Sequence, residues 1–132
     1  MSPRGKYVLP AVLLTVACHA PVTDMDPVTE NQVIAAEAAR SLAAKKGVRL
    51  DAVLFAKQPT ADHTGWSAGW AVCGEYAIGF DKDYIEKLVP VDIRSIAAHE
   101  VCHIYYKDNL PCKPPYDEAR ASACGRELMG ES

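Results

Sequence analysis

Cysteine placement constrains this chain more than any other feature. Cys73, Cys102, Cys112 and Cys124 all fall in the second half, while a fifth, Cys18, closes an apolar N-terminal run. The four later cysteines show no CxxC spacing, so a structural zinc site built from thiols is not expected. Setting Cys18 apart leaves an even number. In an oxidising compartment that predicts two disulfides, with three connectivities open. Each cross-link would contribute roughly 2–4 kcal/mol. The chain has 132 residues, which suits one domain around one hydrophobic core.

The oxidising compartment is itself inferred from the N-terminus. Arg4 and Lys6 precede an uncharged, mostly apolar run from Tyr7 to Ala17. That run falls short of the roughly 20 apolar residues a bilayer span needs, and the pattern reads as an export signal. Leu14-Thr15-Val16-Ala17-Cys18 resembles the lipobox of bacterial lipoproteins, with Thr15 where Leu is commoner. The resemblance implies cleavage before Cys18 and acylation of its thiol. The alternative is plain secretion with Cys18 lost or unmodified. The expected organisation is a signal over residues 1–17, a tether over 18–26 and one domain over 27–132.

Composition narrows the function classes. The net charge is −3, from 14 basic and 17 acidic residues. Losing Arg4 and Lys6 with the signal leaves 12 basic groups against 17 acidic, or −5. No basic stripe is present to neutralise a run of phosphates, so a nucleic-acid partner is not expected. Mild acidity also disfavours adhesion to anionic lipid, and membrane attachment would rest on acyl chains at Cys18.

Periodicity predicts a helix over 27–46, with Asp26 as N-cap, Pro27 at its first position and Gly47 as its stop. Val48–Lys57 reads as a strand. Gly69–Cys73 and Tyr76–Phe80 read as a hairpin around Gly74-Glu75, with alternation in Tyr76, Ile78 and Phe80 predicting one buried face. A short helical turn follows over 81–88, ended by Pro90. Ile93, Ala97, Val101 and Ile104 then recur at helical spacing, predicting a central helix over Asp92–Tyr106. A last helix is expected over Tyr116–Met129. This order of elements predicts the α+β class.

The chemistry sits on the central helix. His99 and His103 lie four residues apart, so both imidazoles leave the same face about one turn apart. That spacing can bring two ring nitrogens to about 2.0–2.1 Å from one Zn²⁺. Glu100 lies roughly 100° around the helix, where a carboxylate can reach a water on the metal without ligating it. His99-Glu100-Val101-Cys102-His103 is thus an HExxH segment, and here the chain resembles the zincin superfamily of metallopeptidases.

The third ligand separates the subfamilies. A metzincin-like chain would have Gly at position 106 and His or Asp at 109, but Tyr106 and Asn109 stand there. A gluzincin-like chain draws Glu from a following helix, and Glu118 in Tyr116-Asp117-Glu118-Ala119-Arg120-Ala121 is so placed. Asp117 is a rival ligand, and His63 a weaker one. Ser122 replaces the acidic residue usual after the downstream Ala, which questions the carboxylate that would orient a ligand. The likeness to minimal gluzincins spans roughly positions 76–129 in order of elements. At residue level only His99, Glu100, His103 and Glu118 carry it.

The resemblance implies a zincin-like α+β fold, with a small antiparallel or mixed sheet, the motif helix and a third-ligand helix. It implies a zinc metallopeptidase in which His99, His103 and Glu118 hold Zn²⁺. Glu100 would serve as base and acid toward a zinc-activated water. Tyr105, Tyr106, Tyr116 and Arg120 are candidate oxyanion donors, and strand Tyr76–Phe80 a candidate edge for a peptide substrate. Cys102 is read as a disulfide or packing residue, and Trp66 and Trp70 as core rather than cleft. A protein partner could supply specificity that so small a domain lacks. The expected location is the cell envelope, or outside the cell. The reading from another class is a non-enzymatic envelope lipoprotein, or an inactive zincin-like binding module.

Overall fold

The computed structural model describes residues 22–58 and 68–130. The export signal, Cys18, His63 and Trp66 lie outside the described residues. The elements run α1 (Glu30–Lys46), β1 (Ala52–Ala56), β2 (Gly69–Ala71), β3 (Ala77–Asp81), a 3-10 turn (Tyr84–Lys87), α2 (Pro90–Tyr105) and α3 (Glu118–Leu128). This is a small α+β fold of three helices and a three-stranded mixed sheet. Among the described residues no helix is long and apolar enough to cross a membrane.

Helix α1 begins three residues later than its pattern predicts, because Thr29 caps it in place of Asp26. Thr29 Oγ1 accepts from the Gln32 N–H at 3.1 Å, and Gln32 Oε1 accepts from the Val28 N–H at 2.9 Å. This reciprocal pair resembles a capping box, shifted by one residue on the return bond. Gly47 closes the helix with φ 75°. Asp24 and Met25, in the stretch expected as a tether, bond to β1: Asp24 Oδ1 accepts from the Val53 N–H, and the Met25 N–H donates to the Val53 carbonyl.

The sheet order is β1-β3-β2, with β1 parallel and β2 antiparallel to β3. The hairpin prediction therefore holds, but β3 is the central strand and not an edge. Its backbone is paired on both sides, so it cannot dock a substrate strand. Both of its faces are covered as well: Ala77, Ile78, Gly79 and Phe80 are all buried. Alternation in the sequence misses this because Ala and Gly on the second face carry little hydrophobic signal.

Ile78, Phe80, Ile85, Ile93 and Val101 are fully buried and form the centre of the core with Val53 and Phe55. Each large side chain buried there contributes roughly 1.5–3 kcal/mol. Helix α1 lays Ala35, Ala38, Ala39, Leu42 and Ala43 into this core and packs mainly on α2. Pro90 opens α2 at its first turn instead of ending the preceding turn, a position where its missing N–H costs nothing. Helix α3 packs against α2.

The cysteine connectivity is Cys73–Cys112 and Cys102–Cys124. The second bond joins α2 to α3, which makes Cys102 a cross-link between the two helices. The first ties the start of the hairpin turn to the segment that follows α2.

Candidate metal centre

Two packing relationships bring the motif helix to its neighbours. A Cβ on Gly69 would lie 2.8 Å from Ile96 Cγ2 of α2, so only glycine lets β2 approach this closely. A Cβ on Gly125 would lie 3.3 Å from the His99 backbone nitrogen. With Ala121 fully buried and Cys124 cross-linked, α3 sits tightly along α2. The last helix starts at Glu118 and not at Tyr116, because Asp117 Oδ1 caps it by accepting from the Arg120 N–H at 2.9 Å. Asp117 is thereby used as a cap, and the carboxylate grouped with the two histidines is that of Glu118.

Glu118 Oε1 lies 2.7 Å from His99 Nε2 and 2.8 Å from His103 Nε2. The ligand atoms of all three residues fall within 4.8 Å of one another, and the group could hold a metal ion. His103 is buried, His99 partly so, and the Glu118 side chain is 63% exposed, which leaves a path from solvent. Burial acts to raise the Glu118 pKa, but hydrogen bonds from both imidazoles outweigh it and hold the carboxyl below its usual range. Two imidazole nitrogens and one carboxylate oxygen form a donor set that suits a divalent transition metal.

The outer nitrogens of both histidines are also engaged. His99 Nδ1 lies 3.1 Å from Ser122 Oγ, so serine takes the place where an acidic residue was expected. His103 Nδ1 lies 2.9 Å from Asp108 Oδ2. Asp108 in turn accepts from the Arg120 guanidinium at 2.8 Å, and that guanidinium stacks over Tyr106. Such partners fix ring orientation and tautomer and raise ligand basicity.

Sequence reasoning missed Asp108. It reaches His103 because α2 ends in a Schellman turn: the Lys107 N–H donates to Ile104 O, and the Asp108 N–H to His103 O. Lys107 takes the left-handed conformation there, with φ 62°. An acidic residue just past the helix end was a readable signal, but the metzincin template inspects 106 and 109 and passes over 108. Asn109 is fully buried and faces away from the centre. Its side-chain amide donates to the Val72 and Glu75 carbonyls, clamping the hairpin turn.

Glu100 is 6% exposed. Burial, and then the neighbouring Glu118 charge, push its carboxyl well above the usual range, opposed by a hydrogen bond from the Ala71 backbone N–H. The motif glutamate is thus tethered to strand β2, the neighbour of α2. Of the four candidate oxyanion donors, Arg120 is committed to Asp108 and Tyr106. Tyr105 lies under the Lys46 ammonium, 4.2 Å from its ring centre, and Tyr106 packs against Tyr105 and Arg120. Tyr116 stands beside the centre, its ring 5.3 Å from that of His103 and its hydroxyl 3.8 Å from Cys73 Sγ. Trp70 is buried, as its core reading expects.

Compared with protein-family models, with curated proteins and with solved structures, the chain finds no match.

Proposed function

We propose that the chain is a zinc-dependent metallopeptidase of minimal gluzincin-like type. One observation carries the reading: His99 Nε2, His103 Nε2 and Glu118 Oε1 converge on one point, with the buried carboxylic residue Glu100 beside them. Zinc held by two His and one Glu supplies a Lewis acid and lowers the pKa of water toward about 7.

The chain's own residues do the rest. His103, held by Asp108, and His99, held by Ser122, keep their Nε2 atoms turned toward Glu118. Glu100 is the proton carrier, taking a proton at its carboxylate during attack and passing it to the leaving amine. Its burial suits that role, since a desolvated carboxyl with a raised pKa holds a proton more readily. The bond from Ala71 fixes where the carboxylate sits. Tyr116 is the candidate donor to the developing oxyanion. An extended substrate would run along β2, because β3 has no free edge.

The cellular setting is part of the same proposal: export by residues 1–17, acylation of Cys18, and work in the cell envelope on a peptide or protein substrate. The two disulfides support an oxidising compartment. Mass spectrometry of the mature N-terminus tests the lipid.

The first test is elemental analysis of the purified mature domain with a His103→Ala variant. About one zinc per chain, lost in the variant, supports the reading. Well-folded protein that takes up no zinc after supplementation overturns it. Glu100→Gln then separates enzyme from binding module: an enzyme keeps its metal and loses turnover, whereas a binding module is indifferent.

A further inference from the structure

Helices α2 and α3 run side by side beyond the metal centre, and the groove between them opens into a cleft of about 180 Å³. Ser95, His99, Ser122, Gly125, Arg126 and Met129 line it. His99 is shared with the metal centre, so the cleft begins one side chain away from it. Ser95 lies one turn before His99 on α2, and Arg126 one turn beyond Ser122 on α3.

Three features give the cleft a chemical preference. Among the described residues Arg126 is its only fully charged lining residue, and it is exposed. Neither it nor Arg94 has an ion pair or side-chain hydrogen bond among the described residues, whereas Arg40, Arg49 and Arg120 each pair with an Asp. No acidic side chain among the described residues lines the cleft to neutralise it. Ser122 adds a hydroxyl, its Oγ 3.1 Å from His99 Nδ1. Ser95 contributes another hydroxyl, and Met129 an adaptable apolar wall.

From this we infer that the α2–α3 cleft is a carboxylate-recognising subsite, in which Arg126 and the two serine hydroxyls receive an acidic group of the substrate. An arginine fork matches a carboxylate in geometry as well as charge. The carboxylate can come from an Asp or Glu side chain or from a free peptide C-terminus, since both present the same group. The inference rests on the metallopeptidase reading for its biological meaning, but the binding it describes does not need turnover.

The test is an NMR titration of the isotopically labelled mature domain, zinc-loaded and metal-free, with three short probes. Acetyl-Ala-Glu-amide carries a side-chain carboxylate, acetyl-Ala-Ala a terminal one, and acetyl-Ala-Gln-amide none. The expected result is saturable shifts at Ser95, Ser122 and Gly125 with a carboxylate probe, with Kd on the order of 1 mM. Arg126→Ala should weaken this roughly five- to tenfold, and Arg126→Lys less. Arg126 is exposed and has no ion pair among the described residues, so both variants should keep the wild-type spectrum elsewhere. Which carboxylate probe binds more tightly identifies the source. Equal response to the Gln probe, no response to any probe, or an unaltered Arg126→Ala titration would overturn the subsite. Binding without peptide cleavage would leave the subsite standing and count against the peptidase. Cleavage by wild-type protein with no acidic preference would do the reverse.

Discussion

Asp108 holds His103 twice: its carboxylate Oδ2 lies 2.9 Å from the ring Nδ1, and its backbone N–H donates to the His103 carbonyl at 2.9 Å. The orientation of this imidazole is therefore set by the turn that ends its own helix. Asp108→Asn leaves the backbone bond intact and removes the carboxylate charge. It should reduce metal affinity roughly 10- to 100-fold with little loss of stability, measured by competition against a chelator. Ser122→Ala should have a smaller effect, because a neutral hydroxyl supports His99 less strongly than a carboxylate supports His103.

The Cys102–Cys124 bond closes a 22-residue separation and joins the helix of both histidines to the helix of Glu118. Replacing both cysteines by alanine should lower stability by about 3 kcal/mol in denaturant unfolding. Metal affinity should fall as well, since the carboxylate and the two imidazoles lose a covalent tie. An unchanged midpoint would mean the tight packing at Gly125 holds the helices by itself.

Lys107 occupies a left-handed position that disfavours any residue with a Cβ by about 1 kcal/mol or more. Lys107→Gly relieves that cost, against a greater loss of unfolded-state entropy. The net expectation is a gain of roughly 0.5 kcal/mol, read as a raised denaturation midpoint with zinc content unchanged.

Asp81 gives the fold a pH dependence outside the metal centre. Burial acts to raise its pKa, but backbone N–H groups of Tyr84, Gln58 and Asp83 outweigh it and hold the carboxyl below its usual range. The folded pKa is below the unfolded one, so the stabilisation is present above about pH 4 and lost as pH falls through the folded value. Asp81→Asn should cost about 1 kcal/mol at neutral pH. The gap between variant and wild type should close in unfolding curves taken below about pH 4.

The amino-acid sequence by itself determined what local rules can read. The His99/His103 pair, with Glu100 between, follows from helical periodicity in α2, and the hairpin from Gly74 between two apolar segments. Glu118 was legible only through the gluzincin resemblance, which draws a Glu from a following helix, and it joins His99 and His103 in a group that could hold a metal ion. Tertiary structure alone decided the rest. It put β3 in the middle of the sheet, since pairing order depends on which edges meet and not on any strand's composition. It paired Cys102 with Cys124 and Cys73 with Cys112, because thiols bond by proximity in space. It also turned Asp108 back onto His103 and placed Arg126 in a cleft with no ion pair among the described residues. Those outcomes depend on where helix ends and helix faces come to rest, and spacing along a chain does not encode that.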